Sequence, residues 1–180
     1  MMGSSSCVQG PVQTGAVFES ERIQFVPLSE ALVPDYLAMV NDIENVQRFI
    51  RFVYEAHEPY TEEQEIEWVR RKLEAKALNY SMIEKKSGSF IGNIELMDPS
   101  DCVAELGIAI TAAKQNSGFG TEAIKAILGY AYEVLGFRKI VLKANPDNSR
   151  AIHVYEKCGF REYDRNAEHV FMETGREIIR

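Results

Sequence analysis

A glycine-containing loop between an apolar strand and an amphipathic helix is the segment of this chain best suited to chemistry. Its sequence is Gln115-Asn116-Ser117-Gly118-Phe119-Gly120-Thr121. Both glycines permit positive φ angles and let a ligand approach the backbone closely. The helix that follows directs unpaired N–H groups and the positive end of its dipole at the loop. The segment therefore predicts a cradle for a phosphate or pyrophosphate, although a plain strand–helix turn would use the same glycines.

Other phosphate-binding loops fit this segment less well. A Walker A loop needs a lysine after its last glycine, and Gly120 is followed by Thr121-Glu122. The run from Gly118 to Ala123 matches the dinucleotide pattern G-x-G-x-x-G/A, with Asp147 downstream as a ribose-binding acid. That pattern normally follows the first strand of a sheet built from several βαβ units, and too little chain remains here for one. A nicotinamide-binding protein is therefore disfavoured.

Two motifs of this sequence together resemble the GNAT superfamily of N-acetyltransferases. The loop at Gln115 fits that family's acetyl-CoA pattern, Q/R-x-x-G-x-G/A. A later run fits its pattern N-x-x-A-x-x-x-Y-x-K-x-G-F at Asn148, Ala151, Tyr155, Lys157, Gly159 and Phe160. The resemblance covers roughly residue 21 to the C-terminus. Within it, the paired early helices and the run Ala104-Glu105-Leu106-Gly107-Ile108 are most similar to the branch that acetylates ribosomal-protein N-termini and polyamines.

The resemblance implies an acetyl-CoA-dependent N-acetyltransferase without a metal ion. The acetyl group would pass to a primary amine, either an N-terminal peptide amine or a small cationic amine such as a polyamine, by direct attack in a ternary complex. A non-catalytic sensor of CoA or acyl-CoA on the same scaffold is the alternative. The residues that the resemblance assigns to the cofactor are Ile108, Ala109, Ile110, Gln115, Asn116, Ser117, Gly118, Phe119, Gly120, Thr121, Asn148 and Tyr155.

Amine acetylation needs a neutral amine, dipoles for the developing oxyanion and a proton for the leaving thiolate. The resemblance assigns the general-acid role to Tyr155 and the oxyanion to backbone N–H groups of the strand before the loop. Glu105 is the predicted general base, acting directly or through water, with Glu95 as its rival. An alternating strand would equally place Glu105 at solvent. We expect His153 to be exposed and Cys158, which lacks an evident base partner, to be structural.

The elements that must position these residues are visible in the apolar spacing. A strand over Val103–Ile110 leads into the loop, and a helix over Thr121–Leu135 leads out of it. A strand over Lys139–Lys143 and a short helix over Ser149–Lys157 follow, and two short strands end the chain. The predicted fold is α+β: a GNAT fold with a mixed, mostly antiparallel central sheet flanked by helices, splayed central strands and a βαβ crossover.

The first half of the chain supplies the remaining helices and strands. Ser29 can cap one helix, a second helical piece is predicted over Ile43–Phe52, and strands are predicted over residues 22–26, 79–84 and 90–97. Thr61 and Gln64 have the capping-box spacing and begin a helix. The apolar stripe predicted to be buried on that helix is formed by Ile66, Val69, Leu73 and Ala77.

Composition limits the partners. Acidic residues outnumber basic ones, 27 to 20, and the net charge of −7 argues against a nucleic-acid partner. No run approaches the roughly 20 apolar residues of a membrane span, which argues against a membrane partner. Three cysteines without metal or disulfide spacing indicate reduced thiols and a cytoplasmic location.

Residues 1–20 are expected to form a flexible leader and residues 21–180 a single GNAT N-acetyltransferase domain. The last strand is expected to be short, or to be completed by the neighbouring subunit of a homodimer. Glu55 and Glu58 lie in the loop where the family lines its acceptor pocket. They are candidates for attracting a cationic amine, or else solvated loop carboxylates.

Overall fold

The computed structural model describes residues 15–46, 49 and 59–176. Residues 1–14, Glu55, Glu58 and half of the predicted helical piece 43–52 lie outside the described residues. The domain boundary at residue 21 stays a prediction. Just before it, Phe18–Glu19 form a short strand that pairs with residues 24–25.

The described residues form one sheet of eight strands: β1 (Phe18–Glu19), β2 (Ile23–Pro27), β3 (Leu78–Glu84), β4 (Phe90–Ser100), β5 (Val103–Ile110), β6 (Lys139–Ala144), β7 (Arg161–Arg165) and β8 (Val170–Gly175). Their order across the sheet is β1-β2-β3-β4-β5-β6-β8-β7. Every neighbouring pair is antiparallel except β5 and β6, which are parallel. The predicted mixed, mostly antiparallel sheet is therefore confirmed. β8 pairs with β6 on one side and β7 on the other, so this strand has both partners within the chain.

The α-helices in the described part of the chain are α1 (Val33–Val40), α2 (Glu62–Glu74), α3 (Phe119–Glu133) and α4 (Ser149–Lys157). Short 3₁₀ helices cover Glu30–Leu32 and Ala112–Lys114. The predicted capping box of α2 is confirmed, because Thr61 and Gln64 each accept a hydrogen bond from the backbone amide of the other. Among the helices described, none has both the length and the apolar character needed to cross a bilayer.

The buried stripe predicted for α2 is wrong at its C-terminal end. Val69 is fully buried, but Leu73 is 41% exposed. The apolar cluster beneath α1 and α2 includes Val69 and Ile66 and does not extend to Leu73. Glu65 is instead buried, at 5% exposure, on the inner side of the first turns of α2. Helical spacing alone cannot show where the elements that cover α2 end. The predicted buried stripe therefore extends beyond the residues that are buried.

The sheet is covered on both faces. On one face, α3 packs Ile124 and Ile127 into a core that includes Leu106 of β5. On the other face, Tyr36 of α1 and Val69 of α2 belong to a second apolar cluster. Because side chains alternate along a strand, β5 presents residues to both sides. A site at the end of β5 can therefore be reached by residues from either layer.

The central strands β5 and β6 pair at one end only. Val103–Glu105 pair with Lys139–Val141, and in the described structure the pairing goes no further. β5 remains paired with β4 as far as Ile110, so its other edge borders a gap. Alternate N–H and C=O groups of β5 point into that gap. The predicted splay of the central strands and the βαβ crossover through α3 are both confirmed.

A glycine on β4 permits the path of β5 beside this gap. A Cβ atom on Gly92 would lie 2.0 Å from the carbonyl oxygen of Ala109 and 2.9 Å from the Cα atom of Ile110. Both are backbone atoms and cannot swing aside as the end of a side chain can. Only glycine therefore lets the two strands approach this closely where β5 ends.

Candidate active site

A cavity of about 190 Å³ opens beside the gap between β5 and β6, and it is lined by β5, the loop that follows it, the start of α3, and α4 with its N-cap residue. It gathers predicted cofactor-binding residues from all four, namely Ile108, Ala109, Ile110, Gln115, Asn116, Gly118, Gly120, Thr121, Asn148 and Tyr155. Ser117 and Phe119, which are predicted with them, do not line it. Phe49, from the segment where the resemblance places the acceptor pocket, also lines the cavity, and so do Val46 and Arg150, which the sequence did not single out.

The loop leaves the start of α3 open to an anion. Gly118 immediately precedes α3 and has φ +79°, a left-handed conformation that favours glycine. Within the described residues, no side chain caps the first turn of α3. The amides of Phe119, Gly120 and Thr121 therefore lack the acceptors that helix interiors provide, and they carry the positive end of the helix dipole. This backbone fits a phosphate group.

Arg22, which precedes β2, fixes the loop to the start of α3. Its Nη1 donates to the carbonyl oxygen of Ser117 at 3.0 Å, and its Nε donates to the carboxylate of Glu122 at 2.7 Å. Its guanidinium carbon lies 4.3 Å from the centre of the Phe119 ring, within cation–π range. Sequence reasoning missed Arg22 because its partners lie 95 or more positions away, and no local pattern reveals such a pair.

Gln115 connects the end of β5 to α4. Its side-chain nitrogen donates to the carbonyl oxygens of Ile110 at 2.9 Å and of Asn45 at 3.2 Å. With both N–H groups used in this way, its side-chain oxygen accepts from Nη2 of Arg150 at 2.7 Å. Nη1 of Arg150 donates to the side-chain oxygen of Asn116 at 3.3 Å. Arg150 occupies a variable position of the second sequence motif, so the motif itself does not single it out.

Asn148 and Tyr155 bring the two ends of α4 to the cavity. Asn148 accepts a hydrogen bond from the amide of Ala151 at 3.2 Å and so caps α4. The Tyr155 ring lies 5.9 Å from the ring of Phe160. Burial, with a smaller contribution from Cys158, raises the pKa of Tyr155 to about 12. The hydroxyl therefore keeps its proton at neutral pH and can act as a donor.

The two carboxylates predicted as alternative bases both have lysine partners. Glu105 forms an ion pair with Lys143 at 3.1 Å, and Glu95 forms one with Lys72 at 2.9 Å. Asn79 also donates to Glu95 at 2.9 Å. Neither carboxylate is among the residues that line the cavity.

The register of the sheet places Glu95 nearer to the cavity than Glu105. Glu95 pairs with Gly107, which is two residues from Ala109, whereas Glu105 is four residues from Ala109. At about 3.3 Å per residue, these separations along β5 are about 7 Å and about 13 Å. The role of Glu105 as base stays a prediction, and the register favours its rival.

His153 and Cys158 lie as expected. His153 is exposed on α4. Cys158 is 6% exposed, its thiol donates to the carbonyl oxygen of Thr121 at 3.7 Å, and burial raises its pKa. These features suit a structural thiol better than a nucleophile. Over residues 15–46, 49 and 59–176, no three His, Cys, Asp or Glu side chains converge in a way that could hold a metal ion.

Comparison with known proteins identifies the family. A family model described as an acetyltransferase (GNAT) domain matches residues 22–161. A spermidine N(1)-acetyltransferase of Vibrio cholerae serotype O1 is 29% identical over 139 residues, which cover 76% of this chain and 79% of that protein. This relative agrees with the polyamine side of the branch that the sequence resembles.

Solved structures share the fold. A GNAT-family acetyltransferase from Bacillus anthracis matches with a TM-score of 0.77 at 19% identity, covering 89% of this chain and 98% of that chain. Spermidine N-acetyltransferase from Vibrio cholerae, solved in complex with CoA and spermine, matches with a TM-score of 0.71 at 21% identity, covering 87% and 97%. With the family model spanning most of its length, the chain belongs to the GNAT family and is an N-acetyltransferase.

Proposed function

We propose that this enzyme transfers the acetyl group of acetyl-CoA to a primary amine of a small cationic molecule, such as a polyamine, within a ternary complex. An N-terminal peptide amine is the alternative acceptor. The observation that carries the proposal is the cavity beside the β5–β6 gap, which an uncapped helix start and a partly buried tyrosine border together. The polyamine in the name of the Vibrio cholerae relative, and the CoA and spermine in the related structure, support the same pair of substrates.

The lining residues match the needs of this reaction. Acetyl-CoA supplies an activated acetyl thioester, whose acetyl carbon joins the amine nitrogen while the sulfur leaves and gains a proton. The amides at the start of α3 hold phosphate oxygens. The N–H groups of β5 that face the gap beside Ala109 donate to the carbonyl oxygen as negative charge develops on it. Tyr155 donates its O–H to the leaving sulfur.

The amine must also lose a proton before or during attack. Glu105 is the proposed acceptor, directly or through water, and its rival is Glu95, which the register places nearer to the cavity. Both lie on the face of the sheet opposite Leu106, and therefore on the side covered by α1 and α2. The acceptor amine is accordingly proposed to approach from that side. The cytoplasmic location and the homodimer stay predictions.

A thiol-release assay tests the proposal. Acetyl-CoA is incubated with the enzyme and, separately, with spermidine, spermine, amino acids, aminoglycosides and short peptides with free N-termini. We expect CoA release to depend on enzyme and to be fastest with a polyamine. Tight CoA binding by calorimetry with no thiol release for any amine would instead establish the non-catalytic sensor. Failure to bind CoA below about 1 mM would contradict both functions.

A further inference from the structure

We propose that Arg150 binds a phosphate group of the CoA nucleotide at the polar end of the cavity. The inference rests on the proposed use of acetyl-CoA. Arg150 lies in the first turn of α4 and lines both the cavity and an adjoining pocket of about 250 Å³. Glu44 and Asp147 also line that second pocket.

The balance of charges around the cavity singles out Arg150. Among the described residues, the cationic side chains that line the cavity are Lys114 and Arg150. Lys114 is paired with Glu84, its Nζ lying 2.6 Å from the carboxylate. In the described chain, Arg150 has only neutral amide oxygens as hydrogen-bond acceptors and forms no salt bridge. Its positive charge is therefore left for a ligand.

The hydrogen bonds of Arg150 hold its guanidinium beside the loop and leave the other N–H donors available. A guanidinium carries five N–H donors, and two of them serve Gln115 and Asn116. Both acceptors are residues of the loop that leads to the open start of α3. A phosphate oxygen is a stronger acceptor than an amide oxygen, because the bond is assisted by charge on both partners. The remaining donors are therefore free to serve a phosphate in the cavity that Arg150 lines.

The position of Arg150 along α4 suits a long ligand with different ends. Five residues separate it from Tyr155, and this corresponds to a rise of about 7.5 Å along the helix. One end of the cavity thus has a fixed positive charge, and the other has the hydroxyl of the partly buried Tyr155 among apolar side chains. A nucleotide phosphate at Arg150 leaves the thiol arm directed toward Tyr155.

The test compares three ligands by calorimetry: CoA, dephospho-CoA, which lacks the 3′-phosphate, and pantetheine, which lacks all phosphates. The variants are Arg150→Gln, Arg150→Lys and, as a matched control, Arg161→Gln on the exposed strand β7. Glutamine removes the charge, and because its amide ends two bonds short of Nη1 and Nη2, it also loses the contacts with Gln115 and Asn116. Lysine keeps the positive charge but lacks the planar, forked arrangement of N–H donors that a guanidinium has.

We expect Arg150→Gln to weaken CoA binding about 10- to 100-fold, Arg150→Lys less, and Arg161→Gln hardly at all. A loss that disappears with dephospho-CoA assigns the contact to the 3′-phosphate. A loss that persists with dephospho-CoA and disappears with pantetheine assigns it to the pyrophosphate. The inference is overturned by unchanged CoA affinity in Arg150→Gln, or by an equal loss for pantetheine. Wild-type enzyme that fails to bind CoA would instead defeat the proposed function itself.

Discussion

Tyr155 combines a partly buried ring with a place in the lining of the cavity, and its surroundings decide when its proton is available. Because burial raises the pKa of Tyr155 to about 12, the protonated form persists across the neutral and mildly alkaline range. The group therefore serves as a hydrogen-bond donor at any pH at which the enzyme is normally assayed. Arg150, at the other end of the cavity, is exposed.

Replacing Tyr155 with phenylalanine should lower kcat roughly 100-fold, because the leaving sulfur loses its proton donor. Acetyl-CoA binding should change less than about twofold. The ratio of wild-type to variant kcat should stay constant from about pH 6 to about pH 9, since the pKa of about 12 keeps wild-type Tyr155 protonated there. Steady-state kinetics across this range measure both quantities. Tyr163→Phe, on exposed β7, is the control. Unchanged kcat in Tyr155→Phe would remove the general-acid role.

Among the elements, those with strong local signals could be predicted and those defined by distant contacts could not. The bounds of α4 and β5 and the capping box of α2 follow from short-range spacing, and the structure has them as predicted. β1 has only two residues, too few to show an alternation of apolar and polar side chains. Only its pairing with β2 defines it as a strand. The contact of Arg22 with the loop and the overlong stripe of α2 are likewise set by tertiary packing. The site was therefore predicted as a set of motifs, without the side chains that orient them.

Replacing Gly92 with alanine should disturb the end of β5, because the new Cβ would lie 2.0 Å from the carbonyl oxygen of Ala109. We expect a loss of about 1–3 kcal/mol in the free energy of unfolding, as for other overpacked sites. CoA affinity should fall as well, since Ala109 lines the cavity. Urea unfolding and calorimetry measure the two effects.

The matched control for this substitution is Gly129→Ala. Gly129 lies inside α3, and its added Cβ would meet nothing within 4 Å. This variant should gain about 0.5–1 kcal/mol from the better helix propensity of alanine. If both alanine variants changed stability in the same direction by similar amounts, the close approach of β4 and β5 would not be a constraint.

For the whole molecule, the net charge of −7 opposes the binding of anionic CoA and favours the binding of a cationic amine. CoA is a polyanion, and the groups proposed to bind it, namely the start of α3 and Arg150, act locally against the overall field. A polyamine is a polycation and is attracted by the same field. The acidic composition is thus compatible with the proposed reaction, provided that positive charge is concentrated at the cavity.

This field predicts that salt affects acceptors according to their charge. Raising the ionic strength from about 0.01 M to about 0.15 M shortens the Debye length from about 30 Å to about 8 Å. With acetyl-CoA saturating, KM for spermine should rise several-fold, and KM for a monoamine acceptor should change little. Initial-rate measurements at both salt concentrations test this. An equal change for both amines would show that the overall charge does not steer the acceptor.

The hydrogen bond between Cys158 and Thr121 has a practical consequence. It joins the last turn of α4 to the first turn of α3, and the thiol is almost wholly shielded. A disulfide-exchange reagent can reach Cys158 only when these two turns separate, so its rate of labelling reports local opening beside the loop. With Cys7 and Cys102 changed to serine, Cys158 is the single thiol of the chain, and it reports this opening without an introduced cysteine. Slower labelling with CoA present would measure how far the ligand holds the two helices together.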